Sequence, residues 1–282
     1  MFAQSKRRKL VGISLIYILL AIGGIIMVMP FMWMLSTSFT SPGGVYTIHP
    51  KLIPDKLTLE NYYRIWFEQG GGLFPRYFLN SFIVAGSVTL LTLFFCSLAG
   101  YVYAKRKFPG RDLSFLLIVS TLMVPGVVTL IPAYKVIIKL GLADTYLAMI
   151  LPFASSAFGI FLMRQHIKTI PTELIDAARI DGCSQWQIYV SIVLPLIKPV
   201  LAALAILTFL GQWDNLLWQF IVIDSAEMRT IAVGMTYLVT NRGSQYTLMM
   251  AASSLSVIPV LLVFCVLQRY FIEGLTLGSV KG

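Results

Sequence analysis

Apolar residues are concentrated in six long blocks along this chain of 282 residues, and shorter polar stretches separate them. A helix needs about 20 mostly apolar residues to cross a hydrocarbon core of about 30 Å. The pattern therefore predicts six membrane-spanning helices, over residues 10–35, 79–104, 113–134, 147–163, 190–213 and 248–267. In the third block, Pro125 and Pro132 predict either tolerated kinks or hinges, because proline removes a backbone donor from a helix.

A polar insert over residues 171–199 separates the fourth block from the fifth. Pro171 and Gly182 predict a short helix, since proline suits the first turn of a helix and glycine the position just after its end. Four residues at three- and four-residue spacing share one face of this helix: Glu173, Asp176, Ala177 and Ile180.

The chain beyond Gly182 is predicted to form a second helix that runs through Leu194 and Pro195 into the fifth block. We expect this continuity to join the insert rigidly to the following span. Asp181 is unusual, because a carboxylate near the C-terminus of a helix opposes the helix dipole. It indicates a local turn, an ion pair with Arg179 or a contact with a partner, and the sequence leaves these alternatives open.

Composition supports the assignment to a membrane protein. Hydrophobic residues make up 57% of the chain and charged residues only 12%, which excludes an ordinary water-soluble domain. The predicted fold class is therefore all-α, with one polytopic transmembrane domain over residues 1–282 and no soluble domain.

The distribution of Lys and Arg predicts the orientation, since cytoplasmic loops have the excess. The segments 1–10, 105–111, 164–189 and 268–282 contain 13 of these residues, and the alternate loops, over residues 36–78, 135–146 and 214–247, contain 8. Both termini and the polar insert (loop 168–189) are thus predicted to be cytoplasmic. The net charge of +10 then reflects topology and contact with membrane lipid, and it gives no support for nucleic-acid binding.

Candidate chemistry is sparse. The three cysteines form no CxxC motif and the two histidines are far apart, which predicts no disulfide framework and no metal site. An ion-coupled sugar carrier or a membrane enzyme would need ionisable or catalytic groups within the spans, and the blocks are almost free of charge. The chain also lacks GxxxxGK[ST], the loop that binds nucleotide phosphates. Any energy for transport must therefore come from a partner, and the insert is where that partner would bind.

The insert contains Asp176-Ala177-Ala178, then Gly182 after three intervening residues, and Ile192-Val193-Leu194-Pro195 after nine more. In this spacing it resembles the signature loop of permease subunits in binding-protein-dependent ABC importers. Asp176 stands where that signature most often has Glu. Other stretches are similar to the carbohydrate-type permeases, including one permease of the maltose transporter: residues 57–62, Asn80-Ser81, residues 108–110, 125–132, 141–142 and 271–282.

This resemblance implies a non-catalytic subunit of a sugar importer in a bacterial or archaeal cytoplasmic membrane. It implies four kinds of partner: a second permease, two ATPase subunits that bind ATP and Mg, an external solute-binding protein, and lipid. The cargo it implies is a sugar, in particular an oligosaccharide, with a polyol or glycerol phosphate as the alternative. The short helix would be the coupling helix, and the residues implied in contact with the ATPase are Glu173, Asp176, Ala177, Ala178, Arg179, Asp181, Gly182, Leu194 and Pro195.

Two stretches are candidates for the solute pathway. A sugar site needs hydrogen-bonding side chains beside aromatic platforms, and the outer end of the fifth block has both: Gln212, Trp213, Asp214, Asn215 and Trp218. Tryptophan at this depth also serves as an interfacial anchor. Ser155 and Ser156 belong to a run of small residues that predicts either close helix packing or the lining of a cavity. Residues 228–238 are expected to form an element that returns towards the pathway.

Overall fold

The structure is a computed structural model that describes residues 2–41, 56–68, 72–241 and 246–276. Within these residues the structure is helical, apart from an isolated antiparallel β-bridge between Thr40 and Leu57. The α-helices are α1 (Phe2–Ser38), α2 (Glu60–Tyr63), α3 (Phe74–Lys105), α4 (Arg111–Ser120), α5 (Gly126–Lys139), α6 (Tyr146–Ile150), α7 (Ala157–Lys168), α8 (Thr172–Ile180), α9 (Gln185–Ile188), α10 (Leu194–Leu196), α11 (Lys198–Trp213), α12 (Leu216–Val222), α13 (Ile231–Asn241) and α14 (Tyr246–Thr276).

Short turns of other helix types connect several of these α-helices. The π-helical turns are Arg64–Glu68 and Tyr189–Val193, and the 3-10 turns are Thr121–Met123, Leu151–Phe153 and Ala226–Met228. Parts of the predicted outer loops and of the predicted tail, at residues 42–55, 69–71, 242–245 and 277–282, lie outside the described residues.

Three helices are long and apolar enough to cross a membrane unbroken. They are Gly12–Ser38, Phe74–Lys105 and Tyr246–Arg269, and they correspond to the first, second and sixth predicted spans. For these three blocks the prediction of a continuous helix is confirmed.

The other three predicted spans are bent helix pairs, so the described residues contain six spans if each pair is counted as one. The pair Arg111–Met123 and Gly126–Lys139 is bent by 105°. Pro125 causes this break, because it takes an extended ψ of 129° directly before α5. Pro132 lies inside α5 without ending it. Of the two prolines, only Pro125 therefore marks a change of direction.

The fourth and fifth spans break for different local reasons. Tyr146–Phe153 and Ala157–Lys168 meet at 43°, where Ser156 is extended and its side chain accepts a bond from the backbone N–H of Gly159. Gln185–Leu196 and Lys198–Trp213 meet at 78°, at Ile197. The second helix runs through Leu194 and Pro195 as predicted, but it ends at Leu196, and the chain turns there before α11 begins.

The described contacts divide the chain into two compact units. One contains Met1–Gly72 and Tyr237–Val257, and the other contains Leu73–Thr236 and Ile258–Gly282. In the first unit, the buried side chain of Asn61 donates to the backbone carbonyls of Ser38 and Thr40, at 2.9 and 2.7 Å. This amide pairs carbonyls at the end of α1 that the helix leaves unpaired, and thereby connects α2 to α1.

Two clusters of buried apolar side chains form the core of the second unit. The first cluster lies around the insert and joins α3, α7, α8, the turn after α9, and the start of α11; examples are Tyr101, Met163, Ile175, Ile188 and Val200. The second lies around α6 and α12; examples are Val84, Ile137, Met149, Trp218 and Val222. The first cluster thus lies against α8, and the second lies against α12, which follows the predicted pathway residues.

Helices α3 and α7 approach closely at two glycines. A Cβ on Gly100 would lie 2.5 Å from the Cβ of Met163, and one on Gly159 would lie 2.7 Å from the sulfur of Cys96. Small residues permit such contact between helices in lipid. For the run that contains Ser155, Ser156 and Gly159, the packing interpretation is therefore confirmed at Gly159.

The Gly100 contact predicts a stability difference between two alanine variants of α3. Gly100→Ala should lower the melting temperature of the purified protein, because overpacking a tight contact costs about 1–3 kcal/mol. Gly86→Ala is the matched control, since a Cβ there meets no atom within 4 Å. Equal melting temperatures for the two variants in detergent would contradict the close approach of α3 and α7.

Candidate functional site

The helix predicted in the polar insert is present as α8, over Thr172–Ile180, with Pro171 at its N-cap. At its other end Gly182 has a φ of +81°, in the left-handed region that favours glycine. The Gly182 N–H donates to the Arg179 carbonyl at 3.1 Å, and the Cys183 N–H donates to the Ala178 carbonyl at 2.9 Å. These two bonds form a Schellman motif, which closes the helix.

The next helix, α9, has its N-cap at Ser184, one residue after Cys183, and this end is also closed by hydrogen bonds. Ser184 accepts a bond from the Gln187 backbone N–H, and the Gln187 side chain accepts one from the Ser184 backbone N–H. This reciprocal pair is a capping box. Because one motif follows the other directly, the turn between α8 and α9 is fixed by hydrogen bonds on both sides.

One face of α8 lies in the core of the second unit. Ile175 is 1% exposed and Ala178 is 7% exposed, and both belong to the buried cluster around the insert. The sequence places Ala178 beside Ala177 in contact with a partner, and in the structure its side chain packs against its own protein.

The opposite face of α8 is exposed and mixes acidic with apolar side chains. Glu173, Asp176 and Ala177 are exposed, as their spacing predicted, and Ile180 is 86% exposed. Arg179 donates to Asp176 at 2.9 Å, so the ion pair considered for Arg179 forms with Asp176, and Asp181 is the exposed C-cap residue.

Sequence reasoning missed two exposed apolar residues beside this face. Leu174 lies on α8 and Trp186 lies on α9, and both side chains are about half exposed. The available signal was a large apolar side chain at each of these positions in an otherwise polar insert. Gly182 is exposed, Leu194 is partly buried against the core cluster, and Pro195 is exposed beyond the π-helical turn.

Side chains of α3 fix the base of the insert. Tyr101 donates to the Gln185 side chain at 3.2 Å, and the Ser97 and Tyr189 hydroxyls are 2.7 Å apart. The Lys105 ammonium group donates to the carbonyl of Ile170, just before α8 begins. The insert is thus attached to the end of α3 at three points, one before α8 and two after it.

The predicted pathway residues at the end of α11 occupy two different environments. The Trp213 ring is 2% exposed and stacks on Phe209, and the buried Trp218 ring donates its N–H to the Ala148 carbonyl at 3.0 Å. Both rings are used in packing. Asp214 is exposed. The predicted cluster of five therefore does not form one open site.

Asn215 and Gln212 are connected at the break between α11 and α12. The Asn215 amide donates to the Gln212 side chain at 3.2 Å, and the buried Gln219 amide donates to the Gln212 carbonyl at 3.2 Å. Ser155 and Ser156 are elsewhere, at the break before α7, where Ser156 caps the helix and Ser155 is exposed. The structure thus does not bring the two predicted pathway stretches into one cluster.

A carboxylate clamp connects two loops near α12. Asp144 has a φ of +58°, and its side chain accepts bonds of 3.0 to 3.1 Å from the Asp224 N–H, the Ser225 N–H and the Ser225 hydroxyl. Partial burial raises the pKa of the Asp144 carboxyl, but these donors outweigh it and hold the pKa below its usual range. The ionised form of Asp144 is therefore the form that the clamp stabilises.

Comparison with known proteins decides the family. Residues 93–276 match the family described as the binding-protein-dependent transport system inner membrane component. The chain belongs to this family. Its relatives are ABC transporter permeases, so this permease is a non-catalytic membrane subunit, and the ATPase activity lies in partner subunits.

Several curated permeases are similar to this one over most of their length. The arabinooligosaccharides transport system permease AraQ of Halalkalibacterium halodurans is 42% identical over 81% of both chains. The lactose transport system permease LacG of Rhizobium radiobacter is 35% identical over 94% of this chain and 95% of its own. The sn-glycerol-3-phosphate transport system permease UgpE of Shigella flexneri serotype 5b is 38% identical over 82% and 84%.

Solved structures support the permease fold. A chain of a bacterial ABC transporter that imports the acidic polysaccharide alginate has a TM-score of 0.82 and 25% identity, and the match covers 92% of this permease and 95% of that chain. A chain of an alginate transporter in complex with a periplasmic protein has a TM-score of 0.60 over 91% and 93%. At 14% identity, the second likeness shows the fold alone.

The Asp144 clamp of this permease predicts a pH-dependent stability. Because its pKa is lowered in the folded state, ionised Asp144 stabilises the fold at neutral pH, and this contribution is lost as acid protonates it. Asp144→Asn keeps the shape and tolerates a positive φ. The variant should have a lower melting temperature than wild type at neutral pH. This difference in melting temperature should disappear as the pH falls below the range in which aspartate usually titrates. A gap that stays constant over the whole pH range in thermal unfolding would contradict the clamp.

Proposed function

We propose that this chain is the permease subunit of an importer that moves an oligosaccharide, with α8 as the coupling helix for an ATPase subunit. A second permease completes the pathway and an external binding protein delivers the solute. The observation that supports this most directly is the two-sided nature of α8. One face is buried in the permease core, and the other exposes acidic and apolar side chains that no described part of the chain covers.

The chemistry of the exposed face suits a groove on another protein. Ile180, Leu174 and Trp186 supply apolar area, and burial of such area is the main favourable term in association. Glu173, Asp176 and Asp181 supply negative charge that would orient the helix against a basic rim. The refined contact set therefore includes Ile180, Leu174 and Trp186 and leaves out Ala178. Gly182 contributes backbone conformation.

The contacts that attach the insert to α3 would allow α8 to transmit force to the membrane spans. The Schellman motif and the capping box fix the corner between α8 and α9, and Tyr101, Ser97 and Lys105 attach it to α3. ATP-driven closure of the partner would therefore displace α3 together with α8. By the positive-inside distribution of charge, this end of α3 lies in the cytoplasm.

Two variants on the exposed face test the coupling helix. Ile180→Ser should weaken assembly with the ATPase subunit about tenfold, because loss of one apolar anchor costs more than about 1 kcal/mol. Ala177→Arg should prevent close approach altogether. Since Ile180 and Ala177 are exposed, both variants should fold. Copurification of the ATPase subunit and ATP-driven uptake measure the effect.

The matched control replaces an exposed aliphatic residue elsewhere. Leu140 is 63% exposed at the end of α5, outside the insert. Leu140→Ser should assemble with the ATPase subunit as wild type does. If Ile180→Ser and Ala177→Arg also assembled and transported at the wild-type level, α8 would not be a coupling helix.

The proposed solute contacts are the exposed carboxylate of Asp214 and the amide of Asn215. Both lie at the break between α11 and α12, where the helix ends leave polar groups free to face a sugar. Trp213 and Trp218 are assigned to the support of this break, because their rings are packed. The oligosaccharide class rests on the relatives named for arabinooligosaccharides and lactose.

Glycerol phosphate is the second candidate cargo, and the likeness to UgpE favours it. A phosphate site generally uses Arg or Lys, or backbone N–H groups at a helix N-terminus. The candidate pathway residues include no Arg or Lys. An uncharged sugar therefore fits these residues better than a phosphate ester.

Uptake by the reconstituted importer tests both the class of solute and the two contacts. With the binding protein present, arabino-oligosaccharide or lactose should stimulate ATP hydrolysis, and sn-glycerol-3-phosphate should not. Asp214→Asn and Asn215→Ala should each raise the KM for sugar about tenfold, the usual effect of losing a hydrogen bond to a polar ligand. Glu60→Gln, which changes an exposed carboxylate on α2, is the control. If glycerol phosphate alone stimulated ATP hydrolysis, the cargo would be glycerol phosphate and not a sugar. If both variants had the wild-type KM, Asp214 and Asn215 would not contact the solute.

A further inference from the structure

The segment before α13 is bonded to side chains of other elements at almost every residue. From residue 227 to residue 231, four of the five residues take part in such bonds. Loops on a protein surface are usually less constrained than the elements they connect. These bonds fix the position of the segment relative to α3 and α12.

Asn80, on the second turn of α3, makes the central contacts. Its side chain is 0% exposed, and its amide nitrogen donates to the backbone carbonyls of Glu227 and Arg229, both at 2.8 Å. Its amide oxygen accepts a bond from the Tyr146 hydroxyl at 2.6 Å. Both N–H groups and the carbonyl of Asn80 are thus used, and they join α3, α6 and the segment before α13.

Neighbouring side chains complete the attachment. The Ser81 hydroxyl accepts a bond from the Ile231 backbone N–H at 2.8 Å, which caps the start of α13. The buried Gln219 side chain bonds to the Thr230 hydroxyl. Arg76 donates to the Glu227 carbonyl at 3.1 Å. Side chains of α3 and of α12 therefore hold the segment before α13 in place.

The result is a surface whose backbone is held in place before any partner binds. The side chains of Asp224 and Glu227 point outward from it and are exposed. The first turns of α13 also lie directly on α3, since a Cβ on Gly234 would come within 2.3 Å of the Tyr77 ring. The segment over residues 224–229 is therefore an exposed ridge on a rigid support.

We propose that Asn80 is a positioning residue that presents the ridge over residues 224–229 to the solute-binding protein. The inference rests on the proposed function, which places this end of α3 on the outer face. A rigid surface loses less conformational freedom on association than a loose one, and this raises affinity. Removal of the Asn80 donors breaks the bonds to the Glu227 and Arg229 carbonyls and leaves the Glu227 carbonyl with its Arg76 bond, so that the ridge becomes more mobile while the rest of α3 is unchanged.

The test compares three variants in the reconstituted importer with sugar-loaded binding protein. Asn80→Asp keeps the shape of the side chain but cannot donate to the two carbonyls. Tyr146→Phe removes only the bond to the amide oxygen. Thr89→Val is the matched control, because Thr89 is a buried polar residue of α3 that bonds within its own helix, to the Ala85 carbonyl.

Asn80→Asp should raise the concentration of binding protein that half-saturates ATP hydrolysis by about fivefold, with a maximal rate within about twofold of wild type. Tyr146→Phe should shift it less, and Thr89→Val should not shift it. The hydrolysis rate without binding protein should stay at the wild-type value in all three. A spin label on Glu227→Cys should become more mobile when Asn80→Asp is added.

Several outcomes would overturn the inference. They are an unchanged half-saturating concentration for Asn80→Asp, the same shift for Thr89→Val, and a fall in maximal rate without a shift. Failure of the proposed function is a separate result, since it requires that the wild-type importer itself show no stimulation by binding protein and sugar. Stimulation of wild type with no shift for Asn80→Asp rejects the inference and leaves the proposed function standing.

Discussion

The need to pair every backbone polar group inside a membrane determines much of this structure. Three of the six apolar blocks are broken, and a break exposes carbonyls and N–H groups that lipid cannot satisfy. Side chains of neighbouring helices supply the partners. Thr92 of α3 donates to the Phe153 carbonyl at 2.9 Å at the break before α7, and Gln219 donates to the Gln212 carbonyl at the break after α11. Polar side chains thus pair the backbone groups at the points where the chain changes direction, and the two candidate sites lie near such points.

The two candidate sites depend on this constraint in different ways. At the insert, a Schellman motif closes the end of α8 and a capping box closes the start of α9, and the outward face of α8 remains exposed. At the break between α11 and α12, Gln219 and Trp218 pair or cover the groups released by the break, and Asp214 remains exposed. In both places the residues that face outward are those that the fold does not use. This separation explains why Ala178 and Trp213, which looked functional by position, belong to the support.

Local signals in the sequence predicted α8 well and the spans less well. Pro171, Gly182 and the spacing of Asp176 and Ile180 act within a few residues, so the helix and its exposed face followed from the sequence. Hydropathy located all six blocks but could not show that three are bent, because a kinked pair of helices is as apolar as a straight one. Pro125 and Pro132 looked equivalent, yet only Pro125 breaks its helix. The Asn80 contacts, which join residues about 150 positions apart, have no local signal beyond the polar pair Asn80-Ser81 at the start of an apolar block.

Helix α3 contacts both the insert and the segment before α13. It is unbroken over 32 residues, which is about 48 Å at 1.5 Å per residue. Asn80 and Ser81 near its first turns bind the segment before α13, and Ser97, Tyr101 and Lys105 near its last turns bind the insert. Helix α3 is continuous, whereas the neighbouring spans are bent at Pro125, Ser156 and Ile197. An importer whose energy is supplied at one face and used at the other needs such a stiff connection, and in the described residues α3 has the length, the continuity and the contacts at both ends to provide it.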